Sequence, residues 1–319
     1  YVAFNAAFKE GLGMAESQYG QIATTVPSTT AAEEYGWLGN TSSMREWLGD
    51  RVVHAVGNHG YTIKNKSFEL TQAVPRTAIE DDTYGVYTPM MTEMGRAAQA
   101  HPDQLGFGLL KDGFTAKCYD GQAFFADTHP VINDKGKEVA VSNKTGNGSG
   151  TVWCVLDTSR ALKPLIYQSR KDNNFVSLTA ETDDNVFNRA EYVYGVDARR
   201  NAGFGFWQLA RASNATLDVA GLQAEITAMR TLKGDHGRPL GIKPTLLVVP
   251  PALEFQARKL LEAELALLPL CARGRVQPAT GRTACLACPR GAAGGSPGLA
   301  VCASCDSGFG ALGRFAGSC

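Results

Sequence analysis

Two groups of side chains have the types and spacing from which chemistry is built. Cys118, Asp127 and His129 supply a thiol, a carboxylate and an imidazole within one short stretch, the set that makes a nucleophile, an orienting group and a base. Near the end of the chain, Cys285-x2-Cys288 and Cys302-x2-Cys305 are separated by thirteen residues, the two-pair spacing that can close a tetrahedral thiolate site for zinc. Other clusters are weaker. Glu80-Asp81-Asp82 and Asp183-Asp184 lack the regular oxygen spacing and glycine of a calcium loop, and read as solvated turns or helix starts. Gly203-Phe-Gly-Phe-Trp207 lacks the third glycine of a dinucleotide turn and the Lys-Ser/Thr of a phosphate loop, so it predicts a strand with close backbone approach. Asn40, Asn65, Asn143, Asn147 and Asn214 each open an Asn-x-Ser/Thr triplet, read as chance matches in loops. The histidines show no pairing four residues apart and read as surface or capping groups.

Residues from one loop seldom form a catalytic set, because the partners converge from separate elements, and no Gly-x-Ser-x-Gly elbow is present. Cys118 and His129 are therefore expected to be a structural thiol and a loop histidine. The elements around them follow from periodicity. Phe4 to Tyr19 predicts a short helix and Thr24 to Thr30 an extended arm. Met44 to Val56 predicts a helix, and Tyr61 to Thr71 a strand after the turn Gly57-Asn-His-Gly60. From Tyr87, apolar residues at 91, 94, 98, 105 and 109 predict the longest helix, bent at His101-Pro102. Asn143 to Gly150 reads as a flexible loop tip. Short strands are expected at Val152 to Leu156, Leu165 to Gln168, Glu191 to Val196 and Phe204 to Leu209. A helix through Leu222, Ile226, Met229 and Leu232, a strand at Thr245 to Val249 and a helix from Leu253 to Leu265 complete an α+β body.

Composition excludes several function classes. The 319 residues carry 31 basic and 31 acidic side chains, so no net field draws the chain to nucleic acid or an anionic membrane. No apolar run approaches the roughly 20 residues of a membrane span, and no basic-then-apolar leader opens the sequence. Six of the eight cysteines lie in residues 271–319, a stretch dominated by Gly, Ala, Cys, Arg, Ser and Pro. Three readings of it stay open: a zinc site on Cys285, Cys288, Cys302 and Cys305, a disulfide module, or translation in a wrong frame. The body, with Cys118 and Cys154 only, has the cysteine usage of a reduced compartment.

The body resembles a known family along most of its length. Ser17-Gln-Tyr-Gly-Gln-Ile-Ala, Tyr35-Gly-Trp-Leu-Gly, Glu46-Trp-Leu-Gly, Ile79-Glu-Asp-Asp, Glu93-Met-Gly-Arg and Leu109-Leu-Lys-Asp-Gly-Phe occur in order. Cys118-Tyr-Asp-Gly-Gln with His129-Pro-Val, Ser159-Arg-Ala-Leu-Lys-Pro, Gly203-Phe-Gly-Phe-Trp-Gln and Leu240-Gly-Ile-Lys-Pro-Thr with Val248-Val-Pro follow. From about Phe4 to Leu265 the chain is similar to the major head subunits of Mu-like phages and prophages, the gpT family. The resemblance implies an α+β tailed-phage major capsid fold of the Hong Kong 97 type, with an N-terminal arm and helix (1–50), an extended hairpin loop (51–82), a spine helix of the peripheral domain (83–117), and the axial domain with remaining peripheral elements (118–268). Residues 269–319 form an atypical tail outside it. The implied function is structural: self-assembly through pentamers and hexamers into an icosahedral shell around double-stranded DNA, without sequence-specific contacts. Portal and scaffold or head-maturation proteins are the implied partners, with no membrane, catalytic residues, cofactor or metal. The implied place is the virion, preceded by the bacterial cytoplasm. Trp37, Trp47, Tyr61 and Phe68 are candidate anchors between subunits. The alternative is a degenerate head domain fused to a Cys-rich zinc-binding or redox module.

Overall fold

The computed structural model describes residues 2–36, 38, 60–82, 85–147 and 150–266, with four two-residue strands beyond them. Helix α1 (Val2–Met14) and the single turn α2 (Tyr19–Ile22) lead into strand β1 (Ala23–Pro27). The stretch expected as a free arm is thus a sheet strand, paired in parallel with Leu165 to Ser169. Its β-branched Thr24, Thr25 and Val26 suit that role. Strands β2 (Ala32–Glu34) and β3 (Thr62–Lys64) pair antiparallel. Buried Gln168 ties this region together: it accepts a hydrogen bond from the Tyr35 hydroxyl at 3.0 Å and donates to Asn65 Oδ1 at 2.8 Å. Trp37, Trp47 and the helix expected at Met44 to Val56 lie outside the described residues.

Strand β4 (Lys66–Pro75) and the short helix α3 (Arg76–Glu80) precede the long helix α4 (Thr88–Asp112). Above the start of α4, the Asp82 carboxylate accepts the backbone N–H of Val86 at 3.0 Å. Its buried stripe is Met91, Met94, Gly95, Ala98, Pro102, Gly106 and Leu110, the spacing of one helical face. The helix runs through Pro102 as one element. Proline has no N–H, so the Ala98 carbonyl one turn earlier loses its usual partner. The Arg200 guanidinium supplies a replacement, donating from Nη2 to Ala98 O at 3.3 Å.

Helix α1 crosses α4 at two glycines. A Cβ on Gly11 would lie 1.9 Å from the Thr92 carbonyl oxygen, and one on Gly95 would lie 2.1 Å from that of Phe8. The two backbones meet with no room for side chains, which lets Phe8 bury 98% of its surface in the core formed with Met91, Met94, Tyr194 and Val196.

Beyond α4 come β5 (His129–Ile132), β6 (Glu138–Val141), β7 (Lys144–Thr145), β8 (Trp153–Leu156), β9 (Leu165–Leu178), α5 (Asp184–Arg189), β10 (Glu191–Phe204) and β11 (Ala210–Ser213). The strands expected as short pieces at 165–168 and 191–196 are one hairpin with 14-residue arms. Its polar middle, Arg170 to Asn174, resembled a turn because these half-buried and exposed positions carry charged and amide side chains. The tip is stitched by Asn185 Nδ2, which donates to the carbonyls of Leu178 at 3.0 Å and Glu191 at 2.6 Å. The main sheet has order β1-β9-β10-β4, and a bulge interrupts the β9–β10 register between Asp197 and Arg199.

Helix α6 (Val219–Arg230), strand β12 (Leu246–Val248) and helix α7 (Glu254–Ala266) end the body. A second sheet has order β12-β8-β11-β7, with every residue of the central strand β8 buried. Residues 144–145, expected in a flexible tip, form its edge. The expected strand at Phe204 to Leu209 is instead the end of β10, a break at Gly205 and a short 3-10 turn at Trp207–Leu209. Helix α6 buries Glu225 as well as Met229, because Glu225 pairs with Arg211 of β11. The chain divides into two compact units. The first holds Tyr1–Thr216 and Ala220–Val248, and the second holds Leu217–Val219 and the chain from Val249 on. In the second, Gln256 donates to the Leu217 carbonyl, and Arg258 pairs with Glu254 at 2.8 Å.

Candidate functional site

Cys118, Asp120 and His129 are the described residues whose metal-ligating atoms gather, all within 4.8 Å of one another. The approach to them is a tight loop. The chain leaves α4 through Gly113, turns at Gly121 with φ +79°, and returns into β5, which opens on His129. The turn aims Asp120 at the His129 ring. Asp127, expected as the carboxylate of this set, faces the other way and pairs with Lys144 Nζ at 3.0 Å and the Ser142 hydroxyl at 2.8 Å.

The order of groups decides the chemistry. His129 Nδ1 lies 2.6 Å from Asp120 Oδ2, while the Cys118 thiol donates to Asp120 Oδ1 at 3.0 Å. The carboxylate stands between thiol and imidazole, so the imidazole has no hydrogen bond to the sulfur to draw off its proton. Burial pushes the Cys118 thiol pKa far up, and its bond to Asp120 pushes the same way. A buried, protonated thiol is neither a nucleophile nor a ready metal ligand. Asp120 is held below the ordinary carboxylate range. Burial acts upward on it, but the bonds from His129 and Cys118 and from the Gln122 N–H outweigh burial. Every ligand atom of the cluster is already engaged by a neighbour within it, and the three side chains form a hydrogen-bonded knot rather than an open site.

The knot continues into a residue the sequence did not single out as a partner. Asn143 Oδ1 accepts the Ala126 N–H at 3.0 Å and faces His129 Nε2 at 3.2 Å. Its Nδ2 donates to the carbonyls of Phe124 at 2.7 Å and of Trp207 and Ala210 at 3.3 Å. Three carbonyls around Nδ2 fix the amide orientation, so it is Oδ1 that faces Nε2 of His129. The His129 ring is fully buried and stacks on Trp207, centroids 4.0 Å apart and planes 8° apart. Sequence spacing offered no signal for Asn143 beyond its Asn-x-Ser/Thr triplet, of which Asn143 is buried and Thr145 exposed. Gly203 and Gly205 approach backbone and side chains as their pattern predicted: a Cβ on Gly205 would lie 2.7 Å from the Lys163 carbonyl.

Two expectations follow. Cys118→Ala should leave assembly unchanged and lower stability by about 1 to 2 kcal/mol, the loss of a buried sulfur and one weak hydrogen bond. Denaturant titration beside light scattering checks this, and an assembly defect in a fully folded variant would contradict a structural role. The lowered Asp120 pKa also sets a pH dependence. The unfolded chain binds this proton more readily, so the stabilisation is complete above the ordinary carboxylate pKa, about 3.9, and is lost as pH falls through the folded value. Asp120→Asn should therefore flatten the acid limb of the stability curve below about pH 4. Superimposable limbs for the two proteins would exclude Asp120 as its source.

The expected subunit anchors divide. Tyr61 accepts the Phe204 N–H at 2.8 Å on its hydroxyl, and Phe68 packs on His101 with centroids 4.3 Å apart, so each makes contacts within its own chain while staying half-buried. The described surface instead exposes Phe187 at the tip of the β9–β10 hairpin and Phe255 on α7, at 82% and 85%. No described helix is long and apolar enough to cross a membrane.

Similarity to known proteins covers this whole body. A family model described as the Mu-like prophage major head subunit gpT matches residues 1–269. The chain is 46% identical over 271 residues to the Mu-like prophage FluMu major head subunit of Haemophilus influenzae, covering 83% of this chain and 88% of that protein. It is 46% identical over 263 residues to the major capsid protein of Escherichia phage Mu, covering 81% and 86%. Among solved structures, a chain of the bacteriophage JBD30 procapsid matches with TM-score 0.71 and 50% identity over 81% of this chain and 88% of its own. The JBD30 capsid matches with TM-score 0.67 and 37% identity over 79% and 85%.

Proposed function

Since the chain belongs to the Mu-like prophage major head subunit family, gpT, we propose that many copies of it close through pentamers and hexamers into an icosahedral shell that encloses double-stranded DNA. The chain is a structural major capsid subunit with the α+β tailed-phage capsid fold of the Hong Kong 97 type. The single observation that carries the reading is the extended identity to head subunits, joined to a fold match with a procapsid chain at 50% identity. The chemistry of the body agrees with it. Among the described residues the gathering of metal-ligating and nucleophilic side chains at Cys118, Asp120 and His129 is internally bonded, as suits a protein whose work is association.

In this reading segments 1–50 and 51–82 contain the arm and the extended loop that reach neighbouring subunits. Segment 83–117 is the spine helix, and 118–268 holds the axial domain with the remaining peripheral elements. Lys66–Pro75 of the second segment is a strand of the main sheet, and Ile63 is 97% buried, so a deletion that tests the loop must stop short of residue 60. The balanced charge suits an inner surface that holds DNA without sequence-specific contacts and releases it. Portal and scaffold or head-maturation proteins complete the partner set, and the subunit waits in the bacterial cytoplasm before it enters the virion. The cysteine spacing of 285, 288, 302 and 305 keeps one further reading, a zinc-binding or redox module on residues 269–319 fused to a degenerate head domain.

Light scattering of the concentrated chain, with negative-stain imaging of the same sample, tests assembly. Shells or capsomer rings are expected. A strictly monomeric or amorphous sample would overturn the proposal for this polypeptide. Zinc measured in the same sample at one ion per chain would favour the second reading.

A further inference from the structure

Phe187 stands exposed on α5 at the tip of the β9–β10 hairpin, and the tip is built to hold it there. Its neighbour Val186 is buried, Asn185 bonds the carbonyls of Leu178 and Glu191, and the Asp183 carboxylate accepts the Ala180 N–H at 2.8 Å. A ring held in water on a fixed turn contributes little to the core of its own chain. It has the form of an anchor for another chain, since little conformational freedom is lost when it docks. The residues around it carry one sign of charge. Between Thr179 and Glu191 four acids, Glu181, Asp183, Asp184 and Glu191, stand against Arg189 alone, a net charge of −3.

A cavity of about 550 Å³ opens between the β5–β6 hairpin and the segment that follows α6. Val131, Val141 and Leu232 line it, and Ile132 and Val139 in its wall are left exposed. The volume falls within the range of about 300 to 1,000 Å³ usual for sites that receive a guest. The wall after α6 is fixed from behind: Asp235 Oδ1 accepts the Ile132 N–H at 2.8 Å, and the Gly234 N–H bonds the Arg238 carbonyl at 2.8 Å. That wall belongs to a basic segment, for between Arg230 and Lys243 four cations, Arg230, Lys233, Arg238 and Lys243, stand against Asp235 alone, a net charge of +3. The turn of the opposite wall is balanced, Asp134 and Glu138 against Lys135 and Lys137, and Arg211 in the lining is paired with Glu225. An aromatic on an acidic tip and an apolar cavity with a basic wall are complementary in sign. Phe255 offers no such match, because its helix neighbours Glu254, Arg258, Lys259 and Glu262 are balanced. We propose that Phe187 of one copy of this chain enters the cavity of a second copy, with its acidic flanks against the segment from Arg230 to Lys243. Knob and hole are different surfaces, so the contact joins copies head to tail, the arrangement that closes rings. The proposal rests on the capsid reading and names two surfaces through which subunits meet.

Phe187→Ala removes the ring from an exposed site, so the isolated subunit should melt with the natural protein. The concentration needed for shells should rise at least about tenfold, the effect of losing an anchor residue. Val139→Glu sets an acid in the exposed wall of the cavity, against the acidic tip, and should give the same loss from the receiving side. Equal assembly by either folded variant would overturn the proposal. Location is read separately with p-benzoylphenylalanine at position 187, whose ketone adds on irradiation across a C–H bond within reach. Unlabelled copies carrying the probe are mixed with 15N-labelled natural copies. A cross-link from position 187 to a labelled peptide within 131–142 or 228–237 supports the proposal. Cross-links confined to the probe's own copy or to other labelled peptides, or none at all, overturn it. Should the natural chain form no shells, the capsid reading fails separately, and the same cross-link sought in the concentrated chain decides the contact.

Discussion

Asn143→Ala is expected to remove a large share of the stability of the body. One amide serves the Ala126 N–H, the carbonyls of Phe124, Trp207 and Ala210, and His129, all away from water. A buried polar group that loses its partner costs roughly 1 to 3 kcal/mol, and several share this one, so a loss of about 4 kcal/mol is expected. Native domains hold only about 5 to 15 kcal/mol in total. Donation, not volume, is the essential property: in Asn143→Asp an oxygen would face three carbonyl oxygens, and that variant should fare no better than alanine. Urea denaturation followed by tryptophan fluorescence reads the effect directly, because Trp207 stacks on the His129 ring that Asn143 holds. A shift below about 1 kcal/mol in Asn143→Ala would mean that backbone or water takes over these bonds, and that the knot is not cooperative.

The second large effect is at the helix crossing. Alanine ordinarily stabilises a helix interior over glycine by about 1 kcal/mol. At Gly95 the sign should reverse, because the added Cβ would lie 2.1 Å from the Phe8 carbonyl oxygen, and that neighbour is backbone. The helices must part, and the burial of Phe8 and Ala7 against Met91 and Met94 goes with the contact. A net loss of about 3 kcal/mol is expected for Gly95→Ala, the upper range for an overpacked core. Gly108 sits on the same helix with nothing within 4 Å of its built Cβ, so Gly108→Ala is the internal control and should stabilise slightly. Thermal melts of the pair, with proteolysis to report release of α1, decide the matter. Two variants that move in the same direction would refute the crossing geometry.

The features legible from residue order were those set by local pattern. Helix α4 was visible because Met91, Met94 and Ala98 repeat at the helical period, and it continues past Pro102 with Arg200 bonded to the carbonyl the proline leaves free. The hairpin arms were underestimated because Lys171, Asp172, Asn173 and Asn174 look like a turn until β10 and its far neighbour β4 supply pairing across the sheet. Cys118 and His129 were recognisable as a pair by type alone. Their carboxylate was misassigned to Asp127 because two aspartates share the segment, and only the reversal at Gly121 selects Asp120. Asn143 and Arg200 left no local trace. Both act through partners distant in sequence, and a pattern over neighbours carries no information on such contacts.

The parallel pairing of β1 with β9 also sets an order of events during synthesis. Ala23 meets Leu165, 142 positions later in the chain, and β9 is itself held by β10, which ends at Phe204. At roughly 5 to 20 residues per second, the N-terminal strand waits some 7 to 30 s on the ribosome before its partner emerges. Through that interval β1 has no native strand to pair with, although α1 and Ile22 can already dock on α4, which is complete at Asp112. β1 can therefore join the sheet only once residues 165–169 have been made, and β4 only once β10 has, so the nascent chain should depend on a holding chaperone until residues 165–204 are available.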